Sequence, residues 1–212
     1  MRRVPKVKAR IYLSPLCACV LLLAASAAQA ADDWRSVITP ADQSRLDRMA
    51  LAISEGDSLV RQSNPPPKTA DLEHLTREMK AAALPIDAVS LPGAWHCQII
   101  KVGTSLAVNK KFKCLIQSTP NGLELSKIGG SDRITGYLYR DGERRMILLG
   151  HVSAKDEPTA PYSALAGGHA TPQNPNYTDV VGVLSQTGPK HLRIVFPWPY
   201  FQSIYDVMVL TP

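Results

Sequence analysis

Cysteine is scarce in this 212-residue chain: four in all, two of them, Cys17 and Cys19, within the first twenty positions. The other two, Cys97 and Cys114, stand alone in "GAWHCQIIKVG" and "KFKCLIQS". A structural zinc site wants four ligands, usually at short paired spacings, and a thioredoxin-like redox centre wants two cysteines two residues apart. Neither pattern occurs. No serine sits in G-x-S-x-G, no histidines pair as H-E-x-x-H, and no glycine-rich phosphate loop appears, so those hydrolase, metalloprotease and nucleotide signatures are excluded. His74, His96, His151, His169 and His191 are scattered singly; a metal site would have to be assembled from separate strands. The composition implies no cofactor and supplies no catalytic residue.

Acid is absent from the first thirty residues, which hold Arg2, Arg3, Lys6, Lys8 and Arg10, an apolar run from Ile11 to Ala28, and then "AQA-ADDW". A basic start, an apolar middle and small residues at Ala28 and Ala30 make a signal peptide with cleavage expected after Ala30. An uncleaved membrane anchor is the rival reading, opposed by Ser14 and Pro15 within the stretch. Lipidation at Cys19 is disfavoured because most of the apolar run follows it, and the twin arginines lack the apolar residues of the folded-protein export signal. Of the 24 Lys and Arg, five lie in this segment, which leaves 19 against 18 Asp and Glu in residues 31–212. The sequence pI of 9.2 therefore belongs to the leader, and nucleic-acid binding is not implied by charge. The three lysines of "NKKFKC" read as a solvated strand end.

Residues 31–92 look helical. Thr39 is placed as an N-cap with Pro40 at the first helical position and Asp42 in the first turn. Leu46, Met49, Ala50 and Ile53 follow at i, i+3, i+4 and i+7, Gly56 ends or weakens that helix, and "SNPPPK" stops any continuation. A second helix is expected from Thr69 to Ala83, with Leu72, Leu75 and Met79 on one side. From Gly93 the texture changes to eight runs rich in Val, Ile, Leu, Phe and Tyr: Ala94–Val102, Lys111–Ser118, Leu123–Ile128, Arg133–Tyr139, Arg145–Ser153, Asp179–Gln186, His191–Phe196 and Ser203–Leu210. Turns at Asn121-Gly122, Asp141-Gly142 and Gly188-Pro189 make neighbours antiparallel. Eight such strands are best housed as a closed up-and-down barrel; a two-sheet sandwich is the alternative.

Strand parity places Trp95, Cys97 and Ile99 on one face, and Phe112, Cys114 and Ile116 on one face of the next strand. Both thiols lie on apolar sides of adjacent strands, and an even pair in an oxidising compartment reads as a disulfide, Cys97–Cys114. Tyr137 and Tyr139 share a face opposite Ile134 and Leu138, as a binding stripe or as cross-strand packing. The connection from 154 to 178 is too long for a hairpin and carries Tyr162, His169 and Tyr177; it reads as a lid over a barrel mouth or as a surface excursion. In "FPWPYF" the two prolines require a corner, and Phe196, Trp198, Tyr200 and Phe201 there read as a hydrophobic plug for one barrel end.

Gly93-Ala94-Trp95, opening the first strand, resembles the Gly-x-Trp start of the calycin superfamily, which implies a barrel with Trp95 packed at one end. A wider resemblance rests on "DDWRSVITPADQSRL", the C-x-I-I-K-V-G around Cys97, F-x-C at Cys114, "DGERRMILLG" and "PWPYFQSIYDVMVLTP". In these segments the chain is similar to an exported alphaproteobacterial family known only as a domain of unknown function, number four-eight-nine-three. That resemblance implies an exported paired-cysteine β domain and carries over no activity. The expectation is an α+β, mainly β protein: a helical segment, then an eight-stranded antiparallel up-and-down, calycin-like barrel over 93–212. The functional expectation is a non-catalytic periplasmic or secreted module for a small apolar ligand or an envelope protein, with inhibition of an exported hydrolase as the alternative and an enzyme as the weakest reading. No membrane span is expected after cleavage.

Overall fold

The computed structural model describes residues 33–157, 160–163, 178–199 and 203–212. Nine strands form, β1 (Gly93–Val102), β2 (Leu106–Val108), β3 (Phe112–Thr119), β4 (Gly122–Lys127), β5 (Asp132–Arg140), β6 (Met146–Ala154), β7 (Thr178–Gly188), β8 (His191–Pro197) and β9 (Tyr205–Thr211). Each pairs antiparallel with a sequence neighbour, and β9 returns to β1, so the sheet closes. The short β2 was not expected. It and β3 follow one another along the same edge of β1, where the two β1 residues between Cys97 and Ile100 face the three between Val108 and Phe112. The pair therefore acts as one strand interrupted by a bulge, and the wall is the eight-stranded up-and-down barrel that the strand count and the calycin resemblance imply.

Parity then sorts the side chains. Trp95, Cys97 and Ile99, Cys114 and Ile116, Leu125, Ile134 and Leu138, Met146 and Leu148, Val180 and Leu184, Leu192, Ile194 and Phe196, and Met208 and Leu210 make one buried cluster inside the wall. None of them is more than 9% exposed. A lumen wide enough for water would leave accessible surface on these side chains, so the barrel is filled rather than hollow. Two glycines, Gly136 and Gly150, face each other across β5 and β6. A Cβ on either would come within 2.5 Å of a backbone oxygen of the other strand, so no side chain fits where the wall bends this tightly.

Four helices precede the wall: α1 (Trp34–Val37), α2 (Pro40–Asp47), α3 (Met49–Arg61) and α4 (Thr69–Lys80). They cover the outside of the barrel over β6–β9 and β1. Ala52, Val60 and Leu75 pack on the outward residues Ile100, Val102, Val195, Tyr205 and Val207. Trp34 packs on Ile147, Leu149, Val181 and Val183. Strands covered on both faces read as continuous apolar runs, hence "MILLGH" in β6 and "VVGVL" in β7, whereas β3 to β5 alternate.

The helices differ from the sequence expectation in several places. α1 was not expected, and the single helix read from Thr39 through Ile53 is two, α2 and α3, broken at Arg48. Gly56 does not end its helix; it lies in the middle of α3, where a Cβ would stand 2.7 Å from the Tyr205 ring. The buried line of α3 is Ala52, Gly56 and Val60, while Ala50 is exposed, because the smallest residues face the wall. The last helix stops at Lys80 rather than Ala83, and Leu72 is exposed. Arg193 of β8 takes the carbonyls of Glu78, Met79 and Ala81, which satisfies the orphan acceptors of the α4 end and fixes where it stops.

Candidate functional site

The two barrel ends differ. Tight turns at Pro120-Asn121 and Pro189-Lys190 lie with the short Asp141–Arg145 connection at the end where β1 begins. They are offset by one residue from the expected Asn121-Gly122 and Gly188-Pro189 because Gly122 opens β4 and Gly188 closes β7, and Gly122 and Gly142 have positive φ. Ile86 and Leu91, from the segment before β1, join the interior cluster there, and the Trp95 Nε1–H donates to the Leu91 carbonyl at 3.0 Å. All the longer connections gather at the other end, the mouth.

At the mouth the inward-facing apolar series ends in polar side chains. Lys101 follows Trp95, Cys97 and Ile99; Lys127 follows Leu125; Asp206 precedes Met208 and Leu210; Thr178 precedes Val180. Lys101 and Asp206 stand directly opposite across β1 and β9. Lys127 is 4% exposed, and its ammonium donates to the Gly129 carbonyl at 2.7 Å and to that of Asp132, 4.5 Å from the centre of the Phe112 ring. Burial, helped by the charges of Arg133 and Lys101, lowers its pKa against the pull of Asp132. The Lys110 ammonium lies 5.6 Å from the same ring. Asp206 accepts from the Ser203 hydroxyl at 2.6 Å; burial nevertheless pushes its carboxyl up to about 6, against that hydrogen bond and the Lys101 charge. The Thr178 hydroxyl is buried with no hydrogen-bond partner among the described residues. Charged groups with displaced pKa values inside a barrel rim are costly to keep, and such groups gather at working surfaces.

On the outer wall beside the mouth, α2 holds the connections in place. Thr39 caps α2 by accepting from the Asp42 N–H at 3.2 Å. The Asp42 carboxylate turns inward and accepts from Arg45 Nη1 at 2.7 Å and from the Tyr162 hydroxyl at 2.7 Å. Tyr162 in turn accepts from the Thr39 N–H at 3.0 Å, and burial raises its pKa well above the ordinary phenol value. Arg45 also donates to the carbonyls of Asp179 and Pro197, so one guanidinium ties the beginning of β7 and the end of β8 to α2. His151, Ser153 and Asp179 share this outer face, each at most 2% exposed. They are the residue types of an acyl-transfer triad, but the His151 Nε2 accepts the Ala160 N–H at 3.0 Å. That lone pair is unavailable to a serine. Burial lowers the His151 pKa, and the cluster serves packing of the segment after β6.

Cys97 and Cys114 are joined by a disulfide with Cα atoms 5.8 Å apart, both inside the barrel and at most 2% exposed. The aromatic residues expected at one barrel end are divided among three places: Trp95 at the closed end, Phe196 inside near the mouth, and Trp198 on the outer wall. Trp198 donates from Nε1 to the Arg48 carbonyl at 3.3 Å and packs with the cluster under α3. Tyr139 packs outside on the cluster around Trp34, and Tyr137 is half-buried on the same outward face. Tyr162 is the member of the long connection that is tied to α2. His169, Tyr177, Tyr200 and Phe201 lie outside the described residues. Lys101, Lys127, Thr178 and Asp206 were not singled out from the sequence. Their signal was a polar residue at the end of an inward apolar parity series.

Residues 34–210 match the family described as Domain of unknown function (DUF4893). The chain belongs to this family. No curated protein and no solved structure matches it. The DUF4893 match runs from α1 to the end of β9, so the helices that clamp the wall are part of the same family unit as the barrel. Among the described residues no group of His, Cys, Asp and Glu is placed to hold a metal ion, and no helix is long and apolar enough to cross a membrane.

Proposed function

We propose that this DUF4893 protein is exported and acts as a non-catalytic binding module that engages an envelope protein through the barrel mouth. The filled interior carries this reading. With the lumen occupied by its own side chains, the barrel has no room for an apolar guest, and binding must occur at a surface. The mouth is favoured because it combines the longer connections with the polar rim of Lys101, Lys127, Thr178 and Asp206. An inhibitor of an exported hydrolase would be one such module, its partner being the hydrolase. Export is supported by the buried disulfide, which forms in oxidising compartments. Residues 1–30 are the proposed leader, and N-terminal sequencing of the exported protein should begin at Ala31.

Photocrosslinking residues at Lys110 and Lys155, beside the mouth, and at Arg144, at the closed end, test the site in exporting cells. A discrete adduct from the mouth positions alone is expected. No adduct, or equal adducts from both ends, contradicts the mouth reading. A stoichiometric apolar molecule extracted from the purified protein would restore the ligand-carrier reading.

A further inference from the structure

The fold sets the three lysines of "NKKFKC" beside two further cations at one side of the mouth. Lys110 and Lys111 lie in the bulge between β2 and β3, and Lys113 is on the outward face of β3; all three are exposed. The Ile128 N–H donates to the Lys113 carbonyl at 3.0 Å. Carrying the β3–β4 and β4–β5 registers on by one residue sets Ile128 between Lys113 and Arg133, and Ile128 is 49% exposed. Lys127 lies behind this row, its ammonium and that of Lys110 4.5 and 5.6 Å from the centre of one Phe112 ring. We infer that this lip rests on an anionic membrane surface, with the lysines among acidic phospholipid headgroups and Ile128 in the interface. The inference goes beyond the mouth reading and does not depend on it, since a lip on lipid and a partner at the mouth are separate contacts.

Charge is the first support. Residues 31–212 hold 19 bases against 18 acids, yet five of those bases gather here. The acids nearest in register, Asp132 and, after β6, Asp156 and Glu157, stand toward the β6 side of the lip. Among the described residues none of Lys110, Lys111, Lys113, Lys127 and Arg133 forms an ion pair. Uncompensated cations of this kind attract an anion from outside.

Residue type then selects lipid over an acidic protein face. Protein interfaces are enriched in arginine and depleted in lysine. Lysine is a hydrated point charge without the fork that matches one carboxylate, and a field of headgroups needs only charge near the surface. The third support is apolar. Interfacial binding adds buried apolar area to electrostatic attraction, and Ile128 supplies it between two cations. Gly129 and Gly130 follow it, packed so closely that a Cβ on either would stand 3.0 Å from a Phe112 carbon, so Ile128 is the apolar side chain this turn presents.

Co-sedimentation of the protein purified after export tests this with vesicles of one part phosphatidylglycerol to two parts phosphatidylcholine, and with phosphatidylcholine alone. Each cation near an anionic surface is worth about fivefold, so four should give half-binding at about 1–2 mM lipid. Binding should vanish at about 500 mM salt and be absent on phosphatidylcholine. Lys110→Glu with Lys111→Glu, at exposed positions that do not threaten folding, should weaken binding at least about thirtyfold. Ile128→Ser should weaken it about fivefold, and Arg144→Glu at the closed end should leave it unchanged. Absence of binding to the anionic vesicles in low salt, equal binding to both vesicles, or parental binding by the double variant would overturn the assignment. A protein adduct from Lys110 in cells without vesicle binding would give the lip to an acidic protein instead; vesicle binding without an adduct would leave this inference standing and remove the mouth partner.

Discussion

Asp206→Asn should make the protein more stable at neutral pH while removing much of its loss of stability between pH 4 and pH 6. The carboxyl sits inside the barrel rim with Ser203 donating to it and Lys101 opposite, and burial raises its pKa from 3.8 to about 6. Between those values the folded protein holds a proton that the unfolded chain has released. Stability therefore falls as pH rises through this window, since it changes with pH as the protons bound by the unfolded state minus those bound by the folded state. A displacement of this size corresponds to about 2–3 kcal/mol, fully felt above the folded pKa and absent below the unfolded one. Asparagine is uncharged throughout and its carbonyl can still accept from Ser203. Urea denaturation of both proteins at pH 4, 5, 6 and 7.5 measures the difference. The expected result is near-equality at pH 4 and an advantage of about 2 kcal/mol for the variant at pH 7.5. A variant that is less stable at every pH, or a difference that does not change across the window, would refute the placement of an unwillingly ionised carboxylate in the rim.

Replacing both Cys97 and Cys114 with alanine opens a link across a separation of 17 residues and should cost about 3 kcal/mol, read from the urea midpoint; in the parent, the buried sulfurs should resist reductant until the protein unfolds. Gly56→Ala improves helix propensity by about 1 kcal/mol but forces a Cβ to 2.7 Å from the Tyr205 ring. Overpacking of about 1–3 kcal/mol should win, and a raised melting temperature would contradict the close approach of α3 to the wall. Arg45→Met leaves Asp42 as a buried, unpaired carboxylate and should cost about 3–5 kcal/mol. Tyr162→Phe removes a hydroxyl that both donates to Asp42 and accepts from Thr39, which should cost about 1–3 kcal/mol and speed proteolytic cleavage near residues 155–163; an unchanged cleavage rate would remove Tyr162 from its tethering role.

The wall was legible in the sequence because period-two alternation and turn chemistry act locally. The Asn-Gly and Asp-Gly dipeptides needed only their own backbone preferences to mark the hairpin connections, although the first turn falls on Pro120-Asn121 with Gly122 opening β4, and Cys97 and Cys114 needed only parity to lie on the same side as Ile99 and Ile116. The Thr39-Pro40 helix start was local in the same way. What could not be read depended on distant partners. The end of α4 is set by Arg193 from β8, and the worth of Gly56 lies in the ring of Tyr205, which is far along the chain. The aromatic cluster of "FPWPYF" looked like one plug because its members are adjacent in sequence, but β8 alternation sends Phe196 inward while the corner turns Trp198 out against Arg48. The mouth residues were legible in principle: Lys101 and Asp206 each break an inward apolar series, and a charge on the core side of a strand has to be accounted for.

The central claim is that the barrel is solid from Trp95 to Phe196, leaving only its surfaces for recognition. Methyl-to-methyl NOE spectroscopy on protein labelled at Ile, Leu, Val and Met tests this most directly. Strands β4 and β8 lie opposite each other around the wall, and the packed interior predicts methyl contacts between strands that are not neighbours, so that Leu125 on β4 connects across the interior to Ile194 on β8 and Met208 on β9 without following the wall. Contacts confined to neighbouring strands, with water or ligand signals between the two sides, would show a hollow barrel and contradict the account.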